Sequence, residues 1–234
     1  MKHLKLNFRL LKRDLIKIVF ISLIVPVLNC IIYSKNGLIT PNLKSDEVVL
    51  SLFGAVDRNY SNWIYWIIFC VGYVVILQLA WKKQVHTFEI NQLLRHKNTS
   101  TFWNIKMITG FIVTLWYVLS ALLVMWVYSV SIHTVNNFDP VWLLILIFLS
   151  INFYVHGLIW LILRNDTLVE VANVVILMLF YAGTKLAQPY TPLYYSMLSK
   201  HTDPYLLMAI ELMIIAIFYI IIINRAKRMD YFSN

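Results

Sequence analysis

Lys82-Lys83-Gln84-Val85-His86-Thr87-Phe88-Glu89-Ile90-Asn91-Gln92-Leu93-Leu94-Arg95-His96-Lys97-Asn98-Thr99-Ser100-Thr101-Phe102-Trp103-Asn104-Ile105-Lys106 is a basic, polar stretch set between two long apolar runs, residues 63–81 and 105–130. Runs of that kind match the roughly 20 residues that a ~30 Å hydrocarbon core demands. The polar stretch therefore reads as a loop at one face of a membrane. The chain as a whole agrees: 60 % of its 234 residues are hydrophobic, against roughly 45–50 % for soluble domains. The sequence predicts an all-α integral membrane protein.

Working outward from the loop, further apolar runs fall at about 15–33, 140–163, 168–185 and 204–224. Six spans are expected, with Pro26 as a kink in the first and Asp139-Pro140 as the start of the fourth. Trp63, Tyr65 and Trp66 form an aromatic cluster suited to the membrane–water interface. Six spans leave both termini on one side. Fifteen of the 20 Lys and Arg lie in residues 2–17, the 82–106 loop, Arg164 and the tail, while Lys35, Lys44, Arg58, Lys185 and Lys200 fall on the opposite side. The excess of cations predicts an N-in, C-in topology with the loop in the cytoplasm.

In residues 1–17, Leu4, Phe8, Leu11 and Leu15 share one helical face and Lys2, Arg9 and Arg13 lie opposite. An amphipathic helix lying along the cytoplasmic interface is expected before the first span. A secretory leader is not, because no small-x-small cleavage site follows the apolar run. On the outer side, residues 34–62 carry turn signals and a short apolar patch at 48–53 that reads as an interfacial helix. Residues 186–203, with Gln188-Pro189-Tyr190-Thr191-Pro192-Leu193-Tyr194-Tyr195, read as a re-entrant-like segment before the last span. No internal repeat or low-complexity linker divides the chain, so one domain, 1–234, is expected.

The net charge of +9 is read as topology and anionic lipid binding, since no aromatic-basic nucleic-acid motif accompanies it. Cys30 and Cys70 both fall in apolar runs, which argues against a disulfide framework and a four-ligand metal site. They read as small buried hydrophobes. None of His-Glu-x-x-His, Gly-x-Ser-x-Gly or Cys-x-x-Cys occurs, and no Gly is followed by Lys, which excludes a P-loop in this chain. A Cys70–His156 nucleophile–base pair is conceivable, but His156 is more simply a packing residue donating one hydrogen bond. His86 and His96 read as solvated.

Glu211 is the acid placed well inside a span. A carboxylate near the bilayer centre costs roughly 2.5–3.5 kcal/mol on insertion scales, so this side chain must be protonated, paired or in contact with water. It is read either as part of a transport route or as an interhelical bond to His156, Asn152 or Asn173. Few charges line the spans, which fits an amphipathic or lipid-like cargo better than an ion channel.

Within the loop, Ile90, Leu93 and Leu94 stand at helical spacing with Glu89, Arg95 and Lys97 turned elsewhere. Thr99 or Ser100 then supplies a cap for a helix that includes Trp103 and Lys106 and rises into the third span. A short helix held at the membrane with a polar end projecting inward has the form of a coupling helix; the alternative is a juxtamembrane loop on anionic lipid.

Glu89, Leu93-Leu94, Thr99-Ser100 and Lys106 occur in the order found after the second span of ABC-2 type permease subunits, although the usual Gly and Pro of that pattern are absent. With its six-span plan, basic leading helix and re-entrant-like segment, the chain resembles that family. The likeness is to the small Gram-positive members that serve lantibiotic and phenol-soluble modulin export or immunity. The resemblance implies a plasma-membrane permease that pairs with a second permease subunit, identical or paralogous. Cytoplasmic ABC ATPase subunits holding ATP and Mg would dock on Phe88, Glu89, Leu93, Leu94 and Arg95, and an amphipathic peptide would be the cargo. No cofactor is then expected in this chain. A membrane-embedded processing peptidase and a non-transporting immunity protein are the competing readings.

Overall fold

The computed structural model describes residues 2–35, 44, 47–48, 60–81, 99–131, 140–166, 168–185 and 204–228. Side chains are described for 14–35, 44, 47–48, 65–81, 99–131, 140–164, 168–183 and 205–226. These residues form six helices, α1 (Lys2–Lys35), α2 (Tyr60–Ala80), α3 (Thr99–Ser131), α4 (Pro140–Asp166), α5 (Val169–Lys185) and α6 (Pro204–Arg228). Each of the six apolar runs lies on its own helix. Four segments are long and apolar enough to cross a membrane: Asp14–Lys35, Thr99–Ser131, Pro140–Arg164 and Tyr205–Ala226. The apolar parts of α2 and α5, Tyr65–Ala80 and Val169–Gly183, are shorter. The chain is a helical membrane protein.

Pairs of touching residues fix the helix directions. Between α2 and α3, Tyr73 meets Thr114 while Trp81, further along α2, meets Lys106, earlier on α3; the two run antiparallel. Between α2 and α4, Tyr73 meets Phe153 and Trp81 meets Trp160; these run parallel. By the same reasoning α1 is antiparallel to α2, since Gly72 faces Val25 and Tyr65 faces Tyr33. α5 is antiparallel to α4 through Phe153–Phe180 and Trp160–Asn173. α6 is parallel to α4, because Phe148 packs with Leu207 and Asn152 bonds Glu211 one turn later on both helices. Successive helices thus alternate in direction. The start of α1, Trp81, Thr99, Arg164 and the end of α6 gather at one end of the bundle.

The expectation of a separate interfacial helix over 1–17 is corrected: α1 is unbroken from Lys2 through the first apolar run. No Gly or Pro, the strongest stop signals, interrupts it before Pro26, and adding a residue to an existing helix is favourable where starting a new one is costly. Pro26 itself lies inside α1. It has no N–H for the Ser22 carbonyl one turn earlier. Ser120 of α3 meets that need, its single hydroxyl hydrogen shared between Ser22 O at 3.0 Å and the Tyr117 carbonyl of its own helix at 2.8 Å. A neighbouring serine re-satisfying a freed carbonyl is how membrane helices tolerate proline.

α2, α3 and α4 form the centre, with aromatic side chains in their seams. Phe69 stacks on Tyr117 at 4.7 Å and meets Phe153 edge-on at 5.1 Å. In an apolar interior each phenol needs an acceptor, and backbone carbonyls with a spare lone pair provide them. Tyr117 donates to Phe69 O, Tyr73 to Phe153 O and Tyr154 to Met107 O, at 2.7, 2.7 and 3.2 Å. Glycines make room for these rings: a Cβ on Gly72 would stand 2.6 Å from the Tyr117 hydroxyl and one on Gly157 2.7 Å from that of Tyr73. Close helix approach through small residues is the usual device where lipid removes the hydrophobic drive for association.

Burial falls from the centre outward. Within their apolar windows 72 % of α4 is buried, against 33 % of α1 and 22 % of α6, which makes α1 and α6 peripheral. Their outward side chains, Ile16, Phe20 and Leu28 on one and Leu212, Met213 and Ile217 on the other, are apolar and exposed, as a lipid-facing surface requires. Between α1 and α2, Val48 is fully buried in the core. Its N–H donates to Lys44 O at 3.0 Å, and the Lys44 N–H donates to Glu47 Oε2 at 3.1 Å. The rest of the 48–53 patch and the 186–203 segment lie outside the described residues.

Candidate functional site

Two of the places where described side chains combine polarity with burial join several helices. The first joins α4 to α6. Asn152 lies near the middle of α4, roughly 20 Å of helix from either end at 1.5 Å per residue. Its Nδ2 donates to Glu211 Oε1 at 2.5 Å, and both residues are 1 % exposed. Glu211 Oε2 is buried without a hydrogen-bond partner. One turn along α4, the His156 Nδ1–H donates to the Asn152 carbonyl at 2.8 Å. A carbonyl only accepts, so that bond puts a proton on Nδ1 and leaves Nε2 buried and unbonded. The ring stacks on Phe180 of α5 at 4.2 Å.

Of the four intramembrane polar residues expected to interact, the structure therefore joins Glu211 with Asn152 and places His156 against Asn152's backbone. Asn173 goes elsewhere: its Oδ1 accepts from Trp160 Nε1 at 2.8 Å and ties α5 to α4. Cys70 and His156 each neighbour Phe180. Cys70 lines an apolar groove of about 120 Å³ with Trp66, Leu177 and Phe180, while His156 lies on the Phe180 ring. Among the described residues no hydrogen bond joins Cys70 to His156, and no group of three or more His, Cys, Asp or Glu side chains gathers.

The second group sits at the bundle end where the 82–98 loop begins and ends. Trp81, the last described residue before the loop, is buried. Its Nε1 donates to Lys106 O at 3.1 Å and its ring stacks on Trp160 at 5.7 Å. The ring fills the space at Gly110, where any Cβ would overlap it. Lys106 Nζ lies 4.6 Å from the Phe102 ring centre and 5.2 Å from that of Trp103, and the Arg164 guanidinium lies 5.7 Å from that of Trp160. Cation–π contacts of this kind hold basic side chains against an aromatic belt.

Phe88, Glu89, Leu93, Leu94 and Arg95 lie outside the described residues. α3 begins at Thr99, so Thr99 and Ser100 are its first two residues, and the cap position before them is likewise outside. The seating of Trp81 in the Gly110 gap and the Ser120–Ser22 bond were not foreseen from sequence. The signal for the second was present, since Pro26 obliges Ser22 to find a donor, but nothing local says that α3 supplies it.

The fold and these sites define the class as a multi-pass helical membrane protein. No family model, curated protein or solved structure matches the chain.

Proposed function

We propose that the chain is the membrane-spanning permease subunit of an ABC-2 type exporter, crossing the plasma membrane six times with both termini in the cytoplasm. A separate ABC ATPase would hydrolyse ATP, and a second permease subunit would complete the translocation route for an amphipathic peptide. The observation that carries this reading is the alternation of helix directions. It sets Trp81 and Thr99, the two ends of the 82–98 loop, beside Arg164 and the basic ends of α1 and α6. Cations gathered at one end of a bundle mark the cytoplasmic side, where an ATPase is available. Trp81 ties the start of the loop to α3 and α4, so a push on the loop has a rigid seat to act on, as switching through packed elements requires.

Purification of the chain from its host with its partners tests this. Co-purification of an ABC ATPase that is lost on replacing Glu89, Leu93 and Leu94 with Ala is the expected result. Retention of the ATPase by that triple variant overturns the docking assignment. Recovery of the wild type with no ATPase overturns the permease reading.

A further inference from the structure

Glu211 has three ways to exist within an apolar span, namely in contact with water, paired with a cation, or protonated. Its side chain is 1 % exposed, which removes the first. Among the described residues Asn152 is its hydrogen-bond partner and no cation pairs with it. The helices packed on α6 are α4 and α3, and none of their described ionisable groups bonds Glu211. On α4, Tyr154 donates to Met107 O, His156 Nδ1 is held by the Asn152 carbonyl, and Arg164 lies over Trp160. On α3, Lys106 lies over Phe102 and Trp103, Tyr117 donates to Phe69 O, and Tyr128 sits three turns further toward the opposite end. On α6 itself, Tyr205, Tyr219 and Arg225 are exposed. An amide donor on one oxygen stabilises a carboxyl in either state, but it does not replace the solvation a buried charge loses.

We infer that Glu211, clasped by Asn152 between α4 and α6, is a proton-binding site within the membrane, occupied at neutral pH, with its proton on Oε2, and that loss of the proton loosens α6 from α4. Around the clasp, Leu207 packs on Phe148 one turn before, and the next buried positions of α6, Ile222, Ile223 and Ala226, lie three turns beyond, with only exposed or half-buried side chains between. A bare carboxylate there would be drawn toward water or a counter-ion, and only α6, as the peripheral helix, can move to supply either. The inference does not depend on which partner binds the 82–98 loop.

The test compares the wild type with Glu211→Gln in detergent micelles, measuring the thermal unfolding midpoint from mildly acidic to alkaline pH. Gln keeps an oxygen for Asn152 and places a neutral NH2 where the protonated oxygen would be. The sign follows from linkage: a carboxyl that binds its proton more tightly when folded destabilises the fold as pH rises. The two midpoints are therefore expected to lie within a few degrees of each other at the acidic end, with the wild type falling progressively below the variant as pH rises above the ordinary carboxyl range and through neutrality. A difference that is constant with pH, or that opens on acidification, overturns the inference. A second measurement needs no variant to fold. Dicyclohexylcarbodiimide, an apolar reagent that modifies protonated carboxyls, is expected to label the α6 peptide of the wild type at neutral pH and to label less as pH rises. Labelling of Glu211 that is independent of pH, or that rises with it, overturns it as well.

Discussion

Replacing Ser120 with Ala tests whether an interhelical hydroxyl holds α1 in place through its proline. In the wild type the Ser22 carbonyl has no Pro26 N–H to accept from and takes the Ser120 hydroxyl at 3.0 Å instead. Removing that hydroxyl leaves a buried carbonyl unsatisfied, which costs about 1–3 kcal/mol. Interhelical hydrogen bonds in bilayers average about 0.6 and reach about 1.7 kcal/mol, so about 1–1.5 kcal/mol is expected. In a Pro26→Ala background the alanine N–H donates to Ser22 O, and Ser120→Ala should then cost no more than a few tenths of a kcal/mol. The coupling from the double-mutant cycle is therefore about 1 kcal/mol. Ser131 provides the internal control, because its hydroxyl also donates to a carbonyl three residues back, Tyr128 O at 2.6 Å, but on an exposed position. Ser131→Ala should be close to neutral. Equilibrium unfolding of the variants in mixed micelles measures all of these terms. A coupling indistinguishable from zero, with Ser120→Ala equally costly in both backgrounds, would refute the reasoning.

Gly110→Ala should destabilise by about 1–3 kcal/mol, because its Cβ overlaps the Trp81 ring and forces it out of its seat. Helix propensity alone predicts the opposite sign by up to about 1 kcal/mol, so a stabilised variant in a thermal melt would show that Trp81 is not seated there. Pairing the change with Trp81→Leu should recover part of the loss. Tyr73→Phe removes the donor to Phe153 O at 2.7 Å and the 2.9 Å contact with Thr114; a loss of about 0.5–1.5 kcal/mol is expected in the same unfolding assay. No loss would mean that the phenol finds water or another acceptor.

Helix positions were legible in the sequence because hydropathy alone specifies them: an apolar run in a chain this hydrophobic has few alternatives to a helix. The start of α4 at Pro140 was legible for a local reason, since proline fits the first helical position. Extents were less so. α1 begins at Lys2, not near Leu15, because amphipathicity and apolarity are both compatible with helix and no breaker separates them. The membrane polar residues show the other limit. Period and composition identify Asn152, His156, Asn173 and Glu211 as costly, yet their pairing is decided by register. Asn152 and Glu211 meet because α4 and α6 run parallel with Phe148 against Leu207 one turn before. Asn173 faces Trp160 because α5 returns antiparallel through a short connection after Asp166. No spacing within one helix contains that information.

The distribution of polar contacts divides the bundle into parts held in different ways. α2, α3 and α4 are joined by donors that never titrate in the physiological range, the Tyr73, Tyr117 and Tyr154 phenols and the Trp81 indole, all directed at backbone carbonyls. Such bonds are indifferent to pH and keep the aromatic centre in one arrangement. α6 differs, since its polar tie to α4 runs through a carboxyl, and most of its apolar side chains face outward. Helix-to-lipid contact is nearly as favourable as helix-to-helix contact for an apolar side chain, so exposed Leu212, Met213 and Ile217 do little to hold α6 against the bundle. The strength of its attachment then rests on its inward residues, Leu207 against Phe148 and Ile222, Ile223 and Ala226 in the main core, and on the Asn152–Glu211 clasp. The same chemistry explains why an acid is tolerated in an otherwise apolar span: a leucine at 211 would satisfy the lipid but would leave the Asn152 amide, buried at mid-helix in α4, without its carboxyl acceptor.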